Sequence, residues 1–244
     1  MSPFELIAHR GYPSRSPENT LLGFEQAIDV GAEYIEADVQ LSADGVPFLF
    51  HDRTMTRICG IAGSIHQKSA EQLQRCSPFA PQQFGNRFRH IPMLRLEQLV
   101  VLLQQHPQVT LFLEIKRGVM KAFSPSLAVA RVIDCIKPVQ AQVVLISFSI
   151  KLLQQAQQQG WKRLAPVLTR WYQIHHRSVL KLDPEYLFIK YLRIPFAVGY
   201  EAASPGLVVY EVSDIDVACD LSKRGVGWIE TDSIGEMLAA RARL

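Results

Sequence analysis

Short apolar runs alternate along the chain with longer stretches in which apolar residues recur every three or four positions. That alternation is the pattern of βαβ units around a parallel sheet. The runs predict eight strands: Glu5–His9, Tyr34–Val39, Thr110–Ile115, Val143–Phe148, Leu164–Thr169, Tyr186–Ile189, Leu207–Val212 and Gly227–Glu230. Helical periodicity falls between them, over Thr20–Val30, Leu96–Gln105, Leu127–Ile136, Ile150–Gln159 and Ile215–Arg224. The first of these is preceded by Asn19, a capping-type residue, and ended by Gly31. Residues 52–93 break the rhythm. They are rich in Gly, Pro and Gln and exceed a normal βα loop, so they read as a small insertion placed to cover a site. With 244 residues, the expected fold is an α/β TIM barrel, (β/α)₈, as one domain over residues 1–244 with this insertion after the second strand segment.

In such a barrel, chemistry collects where strands end and βα loops begin. His9 ends the first apolar run, in IAHRG, and His51 ends another, in PFLFHD. Glu36 and Asp38 lie two apart in YIEADVQL, so strand alternation points both the same way. Glu114 and Lys116 repeat that spacing in LFLEIKRG. Carboxylates crowded on one face repel unless a cation or proton sits among them. Glu36, Asp38 and Glu114 would form an all-oxygen site suited to one divalent cation, Mg²⁺ or Ca²⁺. Arg10 and Lys116 add positive charge that suits a phosphate. Two imidazoles beside that phosphate, His9 and His51, could serve as acid and base in phosphodiester hydrolysis.

Bulk properties narrow the classes. Hydrophobic residues make up 48% and charged residues 20%, enough for a sizeable core. The net charge of +3 is mild and the Lys and Arg are scattered, so nucleic acid is not an expected partner. No run approaches 18 apolar residues, so no stable membrane insertion is expected. The first residues, MSPFELIAHRG, show no secretory leader, and Cys59, Cys76, Cys135 and Cys219 form no CxxC pair. A cytoplasmic location with reduced thiols is the expectation.

The polar motifs occur in a fixed order: HRG at His9–Gly11, ENT at Glu18–Thr20, ExD at Glu36–Asp38 and HD at His51–Asp52. PxL follows at Pro92–Leu94, ExK at Glu114–Lys116, SF at Ser147–Phe148, and GVGWIETD ends at Asp232. This ordered set resembles the glycerophosphodiester phosphodiesterase family, in its short cytoplasmic bacterial form. The resemblance implies a TIM barrel, a single divalent metal, a small-molecule glycerophosphodiester substrate, and release of glycerol 3-phosphate and an alcohol. Two places depart from the family pattern. Ser233 is followed by Ile234 where the family has TDxP, and Tyr210-Glu211 stands where it has a Trp-Thr pair. Glu18, Trp171 and Glu211 are candidate pocket residues, each with a plainer alternative. Glu18 could serve the helix dipole, Trp171 could pack, and Glu211 could pair with a nearby cation such as Arg170. Two other functions fit the class: a barrel phospholipase that leaves a cyclic phosphate, and a phosphodiester-binding barrel without catalysis. His66, His90, His106, His175 and His176 have no partner motif, and Trp161 and Trp228 are assigned to packing.

Overall fold

The structure is a computed structural model that describes residues 4–196, 199–200 and 205–244. Nine strands form one sheet: β1 (Glu5–Ala8), β2 (Tyr34–Leu41), β3 (Pro47–Leu49), β4 (Thr110–Ile115), β5 (Val143–Ser147), β6 (Leu164–Leu168), β7 (Tyr186–Lys190), β8 (Gly206–Tyr210) and β9 (Trp228–Thr231). Eight of them are parallel. β1 pairs with β9 on one side (Ala8 opposite Thr231) and with β2 on the other (Ala8 opposite Ile35), which closes the TIM barrel.

The strand sequences explain the closure. Inward positions alternate with outward ones, and the inward apolar residues fill the lumen: Ile7, Phe112, Val144, Ile146, Ala165 and Phe188 are buried there together. Phe112 sits at its centre, edge-on to Tyr186 and to Phe188, with ring centroids 5.1 Å away in both pairs. Outward residues such as Leu6, Leu111, Leu113 and Leu145 pack under the helices in a second, larger cluster. The same i, i+2 alternation carries the lumen face upward from apolar to charged. Ile7 leads to His9, Tyr34 to Glu36 and Asp38, Phe112 to Glu114 and Lys116, and Trp228 to Glu230.

The structure differs from the sequence expectation in four places. A ninth strand, β3, runs antiparallel to β2 (Val39 opposite Leu49). It is three residues long, too short to stand out from the apolar run PFLF. It turns the chain back so that Phe50 N–H donates to Asp38 O at 2.8 Å and His51 follows beside the carboxylates. Between β6 and β7, where the sequence predicts no helix, single-turn helices occupy Trp171–His175 and Arg177–Leu180. A helix not expected from the sequence, Ile234–Arg241, follows β9. Finally, the helix Leu21–Asp29 is capped by Thr20, whose Oγ1 accepts from Gly23 N–H at 3.2 Å. Asn19 is withdrawn from capping by a left-handed backbone (φ 56°) and turns its amide elsewhere.

Residues 52–93 fold into short helices at Thr56–Cys59, Ala70–Gln74 and Pro81–Phe84. With β3 they enclose a small core of their own, around Phe48, Phe50, Met55, Ile65 and Leu73. The four cysteines are free thiols.

Candidate active site

Gly11 holds the β1 loop in place. Its φ is +92°, and a Cβ there would lie 2.7 Å from the carbonyl carbon of Gly23, so only glycine lets the loop rest on the first helix. This approach fixes His9 and Arg10 above the lumen. His9 Nδ1 lies 2.7 Å from Asp232 Oδ1, while Nε2 lies 3.3 Å from Glu230 and 4.0 Å from Glu36. His51 is fixed in the same manner, with Nδ1 2.8 Å from Asp52 Oδ1. A carboxylate on Nδ1 leaves Nε2 of His51 facing the cavity, while His9 Nε2 faces Glu230. Both rings line the small cavity on the barrel axis.

Between them lie Glu36, Asp38 and Glu114, each contributing a carboxylate oxygen, all mutually within 4.8 Å and buried. Asp38 is the most heavily held. Lys116 Nζ is 3.0 Å from its Oδ1, and Asn19 Nδ2 donates to its Oδ2 at 3.0 Å. Arg10 Nε is also 3.0 Å from Oδ2, an ion pair whose N–H is not aimed as a hydrogen bond. Lys116 also donates to Glu114 at 2.9 Å, and the Arg10 backbone N–H to Glu36 at 3.2 Å.

These neighbours sort the acids. Burial works against the Asp38 anion, but Arg10 and Lys116 outweigh it and hold the pKa far below the usual range. Glu36 is pushed well above its ordinary value by burial and then by Asp38 and Glu230. Glu114 is raised by burial, against the pull of Lys116. Glu230 is pushed up to about 7 by burial, even with His9 and Arg10 opposing. Burial lowers the pKa of His9, but Glu230 and Asp232 leave it raised overall.

The expected metal residues Glu36, Asp38 and Glu114 therefore converge, and the expected acid/base residues His9 and His51 flank them. Arg10 and Lys116 are present but lie on carboxylates. Glu18 accepts from Arg10 Nη1 at 3.1 Å and from both Arg57 Nη atoms, at 2.8 and 2.9 Å. Glu211 lines the mouth with a left-handed backbone (φ 63°) and pairs with Lys190 rather than Arg170. Trp171 packs edge-on against Tyr200, with centroids 6.2 Å apart, and rests on the core.

Sequence reasoning missed three residues. Glu230 grips His9 together with Asp232, which the sequence places at the end of the last strand; a lone glutamate in the apolar strand GVGWIE was the available sign. Arg57, in the insertion, ties Asp52 to Glu18 with bonds of 2.7–2.9 Å, and only the fold brings those three together. Gln40 Nε2 contacts the carbonyls of Phe50, His51 and Asp52 at 2.8, 3.3 and 2.8 Å, which pins the segment bearing His51.

A closed parallel barrel with buried acids, two carboxylate-held imidazoles and two cations at its C-terminal mouth has the layout of a (β/α)₈ barrel with a candidate active site. Residues 9–160 match the model of the glycerophosphoryl diester phosphodiesterase family. The chain belongs to that family. It is 34% identical over 116 residues to glycerophosphodiester phosphodiesterase 1 of Bos taurus, covering 48% of this chain and 35% of the relative. It is 31% identical over 117 residues to a glycerophosphodiester phosphodiesterase of Bacillus altitudinis, covering 48% and 47%. These matches thus span between a third and a half of each relative's length. A phosphodiesterase of Oleispira antarctica, solved with its product sn-glycerol-3-phosphate, superposes with a TM-score of 0.84 at 21% identity, over 97% of this chain and 96% of that one. A glycerophosphodiester phosphodiesterase of Agrobacterium tumefaciens gives 0.73 at 21%, over 97% and 99%. At those identities the superpositions establish the shared fold. Among the described residues, no helix is long and apolar enough to cross a membrane.

Proposed function

We propose that this protein hydrolyses glycerophosphodiesters to glycerol 3-phosphate and an alcohol, with a divalent cation and with His9 and His51 as the acid/base pair. The observation that carries the reading is the cluster of three buried carboxylates, Glu36, Asp38 and Glu114, beside a small cavity that two carboxylate-held imidazoles also line. The donor set fits a hard cation: all three donors are oxygen, and burial among like charges raises the Glu36 and Glu114 pKa values. Glu36, Asp38 and Glu114 would hold the ion, Mg²⁺ or Ca²⁺, which supplies charge stabilisation at the phosphoryl oxygens.

The side chains divide the remaining work. Arg10 and Lys116 are the cations placed to reach the non-bridging oxygens from their positions on Asp38 and Glu114. His51, with Nδ1 on Asp52, takes the proton of the attacking oxygen. His9, with its pKa raised by Glu230 and Asp232, keeps a proton on Nε2 and donates it to the departing alkoxide. Water restores the atom balance, giving one monoester and one alcohol. Glu18 positions Arg10 and Arg57, and the pairing with Lys190 takes Glu211 out of alcohol selection.

Phosphorus NMR of glycerophosphocholine hydrolysis tests the reading. Glycerol 3-phosphate should accumulate with Mg²⁺ or Ca²⁺ and stop after chelation. An intact diester under both metals, or full activity in chelator, would overturn it. A cyclic phosphate as end product would favour the phospholipase-type reaction instead.

A further inference from the structure

Among the described residues, two grooves leave the reaction centre, and they differ in charge. The first is lined by Glu18, Asp52, Glu211 and Asp232 together with Arg10 and Arg57. Its charges are matched: Glu18 and Asp52 hold Arg57, Glu211 holds Lys190, and Asp232 holds His9.

The second groove, about 520 Å³, opens between the segment bearing His51 and the loop after β4. It shares His51, Glu114 and Lys116 with the axial cavity, so the two adjoin closely enough for one molecule to enter both. Its two carboxylates are already satisfied, Glu114 by Lys116 and Asp52 by His51 and Arg57. Three more cations line it: Arg53, Arg117 and Lys121. None of the three forms an ion pair with any described carboxylate. Arg117 is held at the wall, its guanidinium carbon 5.9 Å from the Phe148 ring centroid. Unmatched cations around one concave wall repel each other and concentrate anions.

We propose that this groove is a subsite for a second anionic group, a phosphate or carboxylate, carried on one arm of the diester. Resting on the phosphodiesterase reading above, it names the substrate class: diesters whose alcohol carries a further negative charge, ahead of those ending in cationic choline or plain glycerol. The apolar wall of Phe148 and Met120 accommodates the carbon chain of that arm, and the three cations meet its charged end.

The test compares kcat/KM for glycerophosphoglycerol bearing a terminal phosphate with that for plain glycerophosphoglycerol. The phosphorylated substrate should be favoured by about tenfold or more at low salt, and the preference should shrink as ionic strength rises. In the triple variant Arg53→Gln, Arg117→Gln, Lys121→Gln the ratio should fall towards one; being a ratio, it cancels any general loss of activity. A wild-type ratio of one or below, or a ratio unchanged in the variant, overturns the subsite. If neither diester is cut, the phosphodiesterase reading fails separately. Calorimetric binding of glycerol 1,3-bisphosphate then decides the subsite: equal affinity in wild type and triple variant overturns it, and weaker binding in the variant supports it. Sedimentation with phosphatidylglycerol vesicles that only wild type shows, without a substrate preference, would assign the cations to a lipid surface and overturn the proposal.

Discussion

Asn19 and Asp38 exchange two hydrogen bonds: Asn19 Nδ2 donates to Asp38 Oδ2 at 3.0 Å, and Asp38 N–H donates to Asn19 Oδ1 at 3.1 Å. One amide thereby fixes both the backbone and the carboxylate of a strand residue from the neighbouring loop. Its left-handed backbone, which Asn tolerates well, is what aims the amide there. Outer partners of this kind set how well a ligand carboxylate is oriented.

Asn19→Ala should therefore weaken divalent-cation affinity by roughly 10–100-fold with the barrel intact. Titrating activity against Mg²⁺ in wild type and variant measures it. An unchanged activation constant would show that Asp38 needs no such clamp.

Glu230→Gln should move the pH–rate profile. The Glu230 anion raises the His9 pKa, so neutralising it lowers that pKa. With His9 as the acid, the alkaline limb of kcat/KM should shift to lower pH. Movement of the acidic limb instead would make His9 the base.

The division between the two imidazoles can be separated by leaving group. His9→Ala should lose about 10²–10⁴-fold on glycerophosphocholine and recover much of that on a nitrophenyl ester, whose departure needs no proton. His51→Ala should recover little. Equal rescue of both variants would contradict the assignment.

Stability without metal should fall as pH rises. Glu36, Glu114 and Glu230 have raised folded pKa values, so each favours the folded state most when protonated, below the unfolded carboxylate value of about 4.3. That contribution is lost as pH climbs through the folded values, about 7 for Glu230. His9, also raised, acts in the same direction. Asp38, Asp52 and Asp232 are lowered, so their opposite effect falls at more acidic pH. Between pH 5 and 8 the Tm in chelator should drop by a few degrees or more, and Mg²⁺ should recover most of that loss at pH 8. A Tm that is flat or rises over this range in chelator would contradict these directions.

What was legible in the sequence was periodic or local. All eight barrel strands follow from apolar runs, because a strand buried on both faces must be apolar nearly throughout. Glu36, Asp38, Glu114 and Lys116 were legible as i, i+2 pairs, because alternation alone decides that such side chains share a face. The antiparallel β3 was not, since three residues carry too little pattern. Asn19 beside a helix start looked like a cap, because capping and left-handed backbone favour the same residue types.

The sequence by itself determined the barrel, its insertion and, Glu230 apart, the acids and imidazoles that face its mouth, because these depend on side-chain order within single strands. Only the tertiary structure decided their partners. Glu230 and Asp232 reach His9 because β1 and β9 are neighbours at the closure of the barrel. Arg57 joins Asp52 to Glu18 because the insertion folds back over the β1 loop. Residues so far apart in sequence meet through strand order and loop path, and neither is written in the periodicity of any one segment.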